Sequence, residues 1–361
     1  MLKYTYDSSE NSDSETQSLN PIKTLDFTYS SMNLQSATQQ FEELSKSIEK
    51  RKETIETILL FNNELDALPA NISAFCNLKT LDISNNTITR LPDAILRLPL
   101  TTLIVKNNNL TNDGLPKSFA ELRSLKLCNL SGNNLEYFPT QVLEIDTIEY
   151  LYLGNNNIVQ VPQQIEVLRR LKVLCLGGNN LNEIPESVGN LINLRGLILS
   201  ANSLETLPAS IANLKNLKSL LLHKNRLRTL PTEIVALKCL SELSLRENPL
   251  VVNFVNHMQH NPPSLLELAG RVIKLHNIDI PDGELPTTLR NYLRSAHRCV
   301  NPKCKGVFFD NRVEHIKFVD FCGKYRVPLL QYLCSSKCVV NNTVLHGSYA
   351  DSAMLRKVLL G

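Results

Sequence analysis

A chain of 361 residues carrying 38 basic and 35 acidic side chains, for a formal net charge of +3, has room for one long domain and one or two small modules. So even a charge balance excludes the clustered basic footprint that nucleic-acid binding requires. Hydrophobic residues make up 43% of the chain but aromatics only 6%, and Trp is absent, so the core is aliphatic and suits narrow, regular layers.

No run approaches the roughly 18 apolar residues of a membrane span. The start, Met1-Leu2-Lys3-Tyr4, leads into Ser and acidic residues without the apolar core of a signal peptide. A cytoplasmic location is therefore expected, and the nine Cys should be reduced, so clustered ones read as metal ligands before disulfides. Residues 1–33, rich in Ser, Asp, Glu, Asn and Thr, are expected to be disordered for want of apolar surface. From Leu34 the spacing Leu34, Ala37, Phe41, Leu44, Ile48 predicts a capping helix over 34–52, with Ser36 and Gln39 as its capping box.

Residues 53–261 are periodic. Leu78, Leu81, Ile83, Asn86, Ile88, Leu91, Pro92 form one unit, and Leu194, Leu197, Leu199, Asn202, Leu204, Leu207, Pro208 another. The Asn recurs at Asn63, Asn86, Asn108, Asn133, Asn156, Asn179, Asn202, Asn225 and Asn248, every 23 residues except for one step of 22 and one of 25. Such a period is the signature of leucine-rich repeats, here nine of them. The predicted fold is an α/β solenoid: a leucine-rich-repeat horseshoe with an N-terminal capping helix, a C-terminal helical box and a small Cys-rich α+β module. In each Leu-x-x-Leu-x-Leu the last two Leu point inward from a strand, and successive strands stack in parallel about 4.8 Å apart. Each Asn leaves the strand where a buried amide can satisfy turn backbone groups. The even pitch and Leu-Pro endings resemble the short intracellular type of repeat.

Positions between the inward Leu face the concave side. They give Phe61, Ile104, Tyr150, Tyr152, Cys175, Ile198, Leu221, His223 and Arg246, a candidate client-binding surface centred on Tyr150 and Tyr152. The plainer alternative is scattered surface apolarity. Cys76, Cys128 and Cys239 read as small core residues.

The period stops at Asn248-Pro249-Leu250, 251–261 closes the array, and Pro262-Pro263 punctuates the chain. Ser264 and Glu267 form a capping box for a helix whose Leu265, Leu268, Val272 and Leu275 share one face. This stretch resembles a SOCS box, the module that docks substrate receptors onto cullin-RING ubiquitin ligases. Ser264, Leu265, Leu268, Val272 and Ile273 match its elongin-binding part, and Leu285, Pro286, Leu289, Tyr292 and Leu293 its cullin-contacting part. Ala269 stands where Cys is usual, and Gly283-Glu284 replace the leading Leu-Pro of the cullin element. The resemblance implies that 262–296 binds elongin B/C and a cullin (2 or 5), with Leu265 in an elongin pocket flanked by Leu268 and Val272. The alternative is a helix pair that only caps the array.

In 297–340, Cys299 and Cys304 lie on a tight turn, and Cys334 and Cys338 on a predicted helix over 329–338. Strand-like runs at 307–309 and 316–321 lie between them. Two such pairs close a tetrahedral four-cysteine site for Zn(2+), structural because four thiolates leave no open position. Zinc offsets the small core of such a module. Cys322, His297 and His315 are substitute ligands. One site is too few for a RING, which binds two zincs. A tail, 341–361, completes the chain.

No Gly-x-x-x-x-Gly-Lys-Ser/Thr, Gly-x-Gly-x-x-Gly or His-Glu-x-x-His occurs, so no catalytic set is proposed. The whole resembles the family of leucine-rich repeat-containing protein 58, most specifically at 263–274, at Cys299-x-Asn301-Pro302-Lys303-Cys304-x-Gly306-Val307 and over 316–326. That resemblance implies a non-catalytic substrate adaptor of a ubiquitin ligase. The alternative is a cytosolic protein-interaction scaffold without a ligase link.

Overall fold

The computed structural model describes residues 23–47, 52–250, 263–281, 284–301, 304–321 and 325–338. Residues 1–22 of the segment expected to be disordered, the closing segment 251–261, Cys322 and the tail 341–361 lie outside the described residues. The chain divides into two compact units, residues 1–225 with 236–245, and residues 226–235 with 246–361.

The first unit is built on a ten-stranded parallel sheet. Its strands follow chain order: β1 (Thr24–Asp26), β2 (Thr57–Leu59), β3 (Thr80–Asp82), β4 (Thr102–Ile104), β5 (Leu127–Asn129), β6 (Tyr150–Tyr152), β7 (Val173–Cys175), β8 (Gly196–Ile198) and β9 (Ser219–Leu221). Beyond β10 (Leu230–Pro231), which lies outside this sheet, β11 (Glu242–Ser244) completes it. In β6 the central Leu151 is fully buried and its flanking tyrosines are half-exposed, and the next inward residue, Leu153, is also fully buried. Return arms begin at the Leu-Pro endings and run as 3-10 turns, as at Ala209–Asn213 after Pro208. Proline fits there because the first N–H of a helical turn has no internal partner.

The asparagines form a ladder. Asn156 Nδ2 donates to the carbonyls of Leu130 (3.0 Å), Leu153 (3.0 Å) and Gly154 (3.3 Å), and its Oδ1 accepts from the Leu135 N–H at 3.1 Å. Asn179 makes the same bonds one repeat on, to Leu153, Leu176 and Ile158. Each side chain thus satisfies buried backbone groups of its own turn and of the repeat before it.

Two expectations at the N-terminal end need correction. The disorder expected over 1–33 does not extend to its last residues, since Thr24–Asp26 is a strand paired in parallel with β2. The polar average hides Phe27 and Met32, which are buried, and Asn63 reaches back to the Phe27 carbonyl at 2.8 Å and the Met32 N–H at 2.9 Å. The segment therefore works as a rudimentary first repeat. The capping helix is α1 (Leu34–Ser47), and Phe41 on it packs against Phe75 with ring centroids 5.4 Å apart. Its cap is Asn33 with Ser36, not Ser36 with Gln39. The Ser36 N–H donates to Asn33 Oδ1 and the Asn33 N–H to Ser36 Oγ, while Gln39 bonds Glu43.

Of the cysteines read as core, Cys128 is buried, and burial pushes its thiol up to about 12, leaving a neutral packing group. Cys76 and Cys239 are exposed instead, because they sit in the turns between return arm and strand.

In the second unit, α2 (Leu265–Leu275) and α3 (Thr287–Arg294) precede a short antiparallel ribbon, β12 (His297–Arg298) with β13 (Val307–Phe308). A long hairpin follows, β14 (Val313–Phe321) with β15 (Tyr325–Leu333), and β10 adds to β15 in parallel. The helix expected over 329–338 is absent: β15 runs to Leu333, followed by a 3-10 turn at Ser336–Cys338. Nine cross-strand pairs with β14, together with the burial of Val327, Leu329 and Leu333, override the helix-like spacing.

Candidate functional site

On α2 Glu267 and Arg271 face inward and the leucines face outward. Ser264 caps the helix, its Oγ accepting the Glu267 N–H at 3.1 Å, which is half of the expected capping box. The Glu267 carboxylate does not complete that box. It is 1% exposed and accepts from the N–H groups of Phe309 (3.0 Å), Asp310 (3.1 Å) and Asn311 (3.3 Å) and from the Tyr292 hydroxyl (3.1 Å). Arg271, one turn on, pairs with Glu267 at 2.7 Å and donates to the Cys334 carbonyl at 2.8 Å and to the Asn311 carbonyl. Burial raises the Glu267 carboxyl, but the backbone donors and the Arg271 guanidinium overcome it and hold the group below its ordinary value. Burial, then the bond to Glu267, pushes the Tyr292 hydroxyl up to about 12. The Tyr292 ring stacks on Phe309 at 4.6 Å, and Gly270 lies so close to Phe309 that an added Cβ would stand 2.9 Å from the ring.

The other face of α2 carries Leu265, Leu268, Val272 and Leu275, spaced three, four and three residues apart, which forms one stripe. All four are exposed, Leu265 at 85%, and Leu266 beside them is exposed too. Ile273 is half-buried. On the second predicted segment Pro286 caps α3 and is exposed, while Leu285, Leu289, Tyr292 and Leu293 are half-buried. The contacts of Glu267, Gly270 and Arg271 are not legible in the sequence.

The four predicted ligands come together. The Sγ atoms of Cys299, Cys304, Cys334 and Cys338 all lie within 4.8 Å of one another, with Cys304–Cys334 and Cys334–Cys338 each at 3.5 Å. A tetrahedral site with Zn–S bonds of about 2.3 Å needs sulfurs roughly 3.8 Å apart. The cluster is thus a four-cysteine site whose geometry fits structural zinc. Val313 and Leu333, cross-strand partners on the long hairpin, cover it. The Gly306 N–H points at Cys304 Sγ from 3.2 Å, and the Gly306 carbonyl accepts the Cys299 N–H at 2.9 Å. Burial and then the neighbouring thiols raise the Cys334 thiol. The substitute ligands stand apart: His297 stacks on Phe308 at 5.6 Å, and His315 is not among the four clustered groups.

Gly306 was missed as a site residue, although a glycine two positions after a paired Cys was a usable signal. A Cβ there would stand 2.5 Å from Cys334 Sγ and 3.0 Å from Cys304 Sγ. Gly306→Ala is expected to weaken zinc affinity by about ten- to a hundredfold, as measured by competition with a chromogenic chelator.

In the repeat unit, Phe61, Ile104, Tyr150, Tyr152, Cys175, Ile198, Leu221 and His223 are half-exposed on the open side of the sheet. Tyr152, Cys175, Ile198 and Leu221 are register partners on β6 to β9, so they form a continuous row of apolar neighbours. His223 Nδ1 meets Ser244 Oγ at 3.3 Å. Arg246, in the second unit, is exposed. Among the described residues no helix is long and apolar enough to cross a membrane.

The leucine-rich repeat family pattern matches residues 146–204 and 192–250, and a related one matches 77–98. A solved leucine-rich-repeat protein of Leptospira interrogans is 35% identical and superposes with a TM-score of 0.52, over 56% of this chain and 51% of that one. These matches describe a non-catalytic protein-interaction scaffold. Leucine-rich repeat-containing protein 58 of Homo sapiens is 61% identical, across 85% of each chain. The Xenopus laevis protein of the same name is 62% identical over 322 residues, 87% of this chain and 92% of that one, a span longer than the repeat array. With such identity running beyond its repeats, the chain belongs to the leucine-rich repeat-containing protein 58 family.

Proposed function

We propose that the protein is the substrate-recognition adaptor of a cytoplasmic elongin-containing cullin-RING ubiquitin ligase. The observation that carries this reading is the outward stripe of α2. Within its own unit α2 packs by its polar face, through Glu267 and Arg271, and leaves the apolar stripe exposed. Leaving four large aliphatic side chains in water on eleven residues is costly unless a partner covers them. Their spacing suits a helix laid in an apolar groove, with Leu265 as the anchor. Elongin B/C is the occupant to which the resemblance at Ser264, Leu265, Leu268, Val272 and Ile273 points. Leu285, Pro286, Leu289 and Leu293 are the proposed cullin contacts. Tyr292, committed to Phe309 and Glu267, acts there by positioning α3.

The row Tyr152–Cys175–Ile198–Leu221, with Tyr150, Phe61, Ile104 and His223 on the same sheet, is the proposed client surface. Aromatic and aliphatic anchors in a continuous strip supply most of the energy of such contacts.

Leu265→Asp is expected to abolish co-purification of elongins from cell lysate while leaving the repeat unit folded. It is a cleaner cut than deleting 262–296, which also removes Glu267 and Arg271. Unchanged elongin recovery with Leu265→Asp, or none with the unaltered chain, would leave only an interaction scaffold.

A further inference from the structure

We infer that Glu267 and Arg271 couple occupancy of the four-cysteine site to the order of the α2 face, so that metal and docking partner bind cooperatively. The inference rests on reading the thiols as a metal site and the stripe of α2 as a docking face.

α2 has little apolar anchorage of its own, because Leu265, Leu266, Leu268, Val272 and Leu275 are exposed and Ile273 is only half-buried. At 11 residues it is shorter than the roughly 12–15 that an isolated helix needs for even marginal stability. What fastens it is polar: the Glu267 carboxylate on the N–H groups of 309–311, and the Arg271 guanidinium on the carbonyls of Asn311 and Cys334. Those anchor points are connected to the thiol cluster. Cys334 is itself one of the four. The 309–311 turn follows directly on β13, which pairs with β12, and the Gly306 carbonyl just before β13 accepts the Cys299 N–H. Among the described residues the buried apolar side chains packed with the sulfurs are Val313 and Leu333, so a bound metal would supply much of what joins the Cys299–Cys304 turn to this end of the hairpin.

The chain of contacts is therefore continuous from sulfur to helix. Cation binding fixes Cys299, Cys304, Cys334 and Cys338, these fix the 309–311 turn and the Cys334 carbonyl, and those in turn hold the polar face of α2. Its apolar face is then presented as a formed helix. By linkage, a partner that holds α2 in place tightens the metal by the same factor. Arg271 is a positioning residue here, since it touches a ligand's carbonyl and no sulfur.

The test uses the reduced full chain loaded with Co(II), whose tetrathiolate absorption bands report the site, and amide hydrogen exchange, which reports α2. In the unaltered chain, stripping cobalt with a chelator is expected to speed exchange over 265–275 by at least about tenfold while buried amides of the repeat strands stay protected. Arg271→Met is expected to exchange rapidly there with or without cobalt and to bind cobalt about tenfold more weakly. Arg271→Lys, keeping the charge without the fork, falls between the two. Tetrathiolate bands in the unaltered chain together with identical 265–275 exchange in loaded and stripped protein overturn the coupling but leave the metal site standing. Absence of those bands from reduced, folded protein overturns the metal reading and the coupling together. Should Arg271→Met fail to take up cobalt, the loaded and stripped forms of the unaltered chain still decide.

Discussion

Replacing Asn156 by alanine is expected to lower the stability of the repeat unit by about 2–3 kcal/mol, measured by urea denaturation followed by circular dichroism. The side chain is 6% exposed and serves three carbonyls and one N–H that no water reaches easily. Truncation orphans the Leu135 N–H outright, at a desolvation penalty of about 1–3 kcal/mol, and removes one of the donors to each of the three carbonyls. Each carbonyl keeps a second partner, since Asn179 donates to Leu153, Asn133 to Leu130 and the Gly132 N–H to Gly154. Because Asn156 touches both its own turn and the preceding repeat, the loss weakens the interface between repeats, the term on which solenoid cooperativity depends. The neighbouring Asn157 is exposed, and its alanine variant should stay within about 0.5 kcal/mol of the unaltered chain.

Glu267→Ala is expected to cost the second unit about 3–5 kcal/mol, enough to unfold a module this small at neutral pH. The substitution leaves the Arg271 guanidinium without its carboxylate and three N–H groups without an acceptor. Acid should do the same more gradually. The Glu267 carboxyl titrates below its ordinary value of 4.5 in the folded chain. Its contribution is therefore complete above 4.5 and is lost as pH falls through the lower, folded value. The readout is amide exchange over 265–275 and 309–311 against pH, where protection should fall only on the acid side of 4.5. Glu267→Gln, which cannot ionise, should flatten that dependence.

How much of this was legible in the sequence follows from the range of the interactions. The repeat array was, because each inward Leu and each ladder Asn answers to a neighbour one period away, and the period is written in the chain. The four thiol partners were, because residue type and pairing carry the chemistry. The route by which Cys334 and Cys338 meet was not: a strand end and a 3-10 turn do what an α-helix was expected to do. That choice is made by β14, well upstream in the chain, and local spacing does not record it. β1 was hidden because a few buried side chains were averaged into a polar segment.

The least legible feature was the orientation of α2. Ser264 and Glu267 do mark its start, and the leucine stripe does mark one face. Nothing local says that the opposite, polar face is the buried one, since the acceptors for Arg271 are the carbonyls of Asn311 and Cys334, 40 and 63 residues away. Sequence patterning identifies the apolar face of a helix, and only the tertiary partners of Glu267 and Arg271 decide whether that face is turned in or out.

Direct titration of purified elongin B/C heterodimer into the purified, metal-loaded full chain tests the adaptor reading most directly. Saturable one-to-one binding at about micromolar affinity or tighter is expected, lost by at least about thirtyfold in Leu265→Asp with the amide exchange of the repeat unit unchanged. No binding by the folded, metal-loaded chain at roughly a hundred times that concentration, or equal binding by Leu265→Asp, would contradict it.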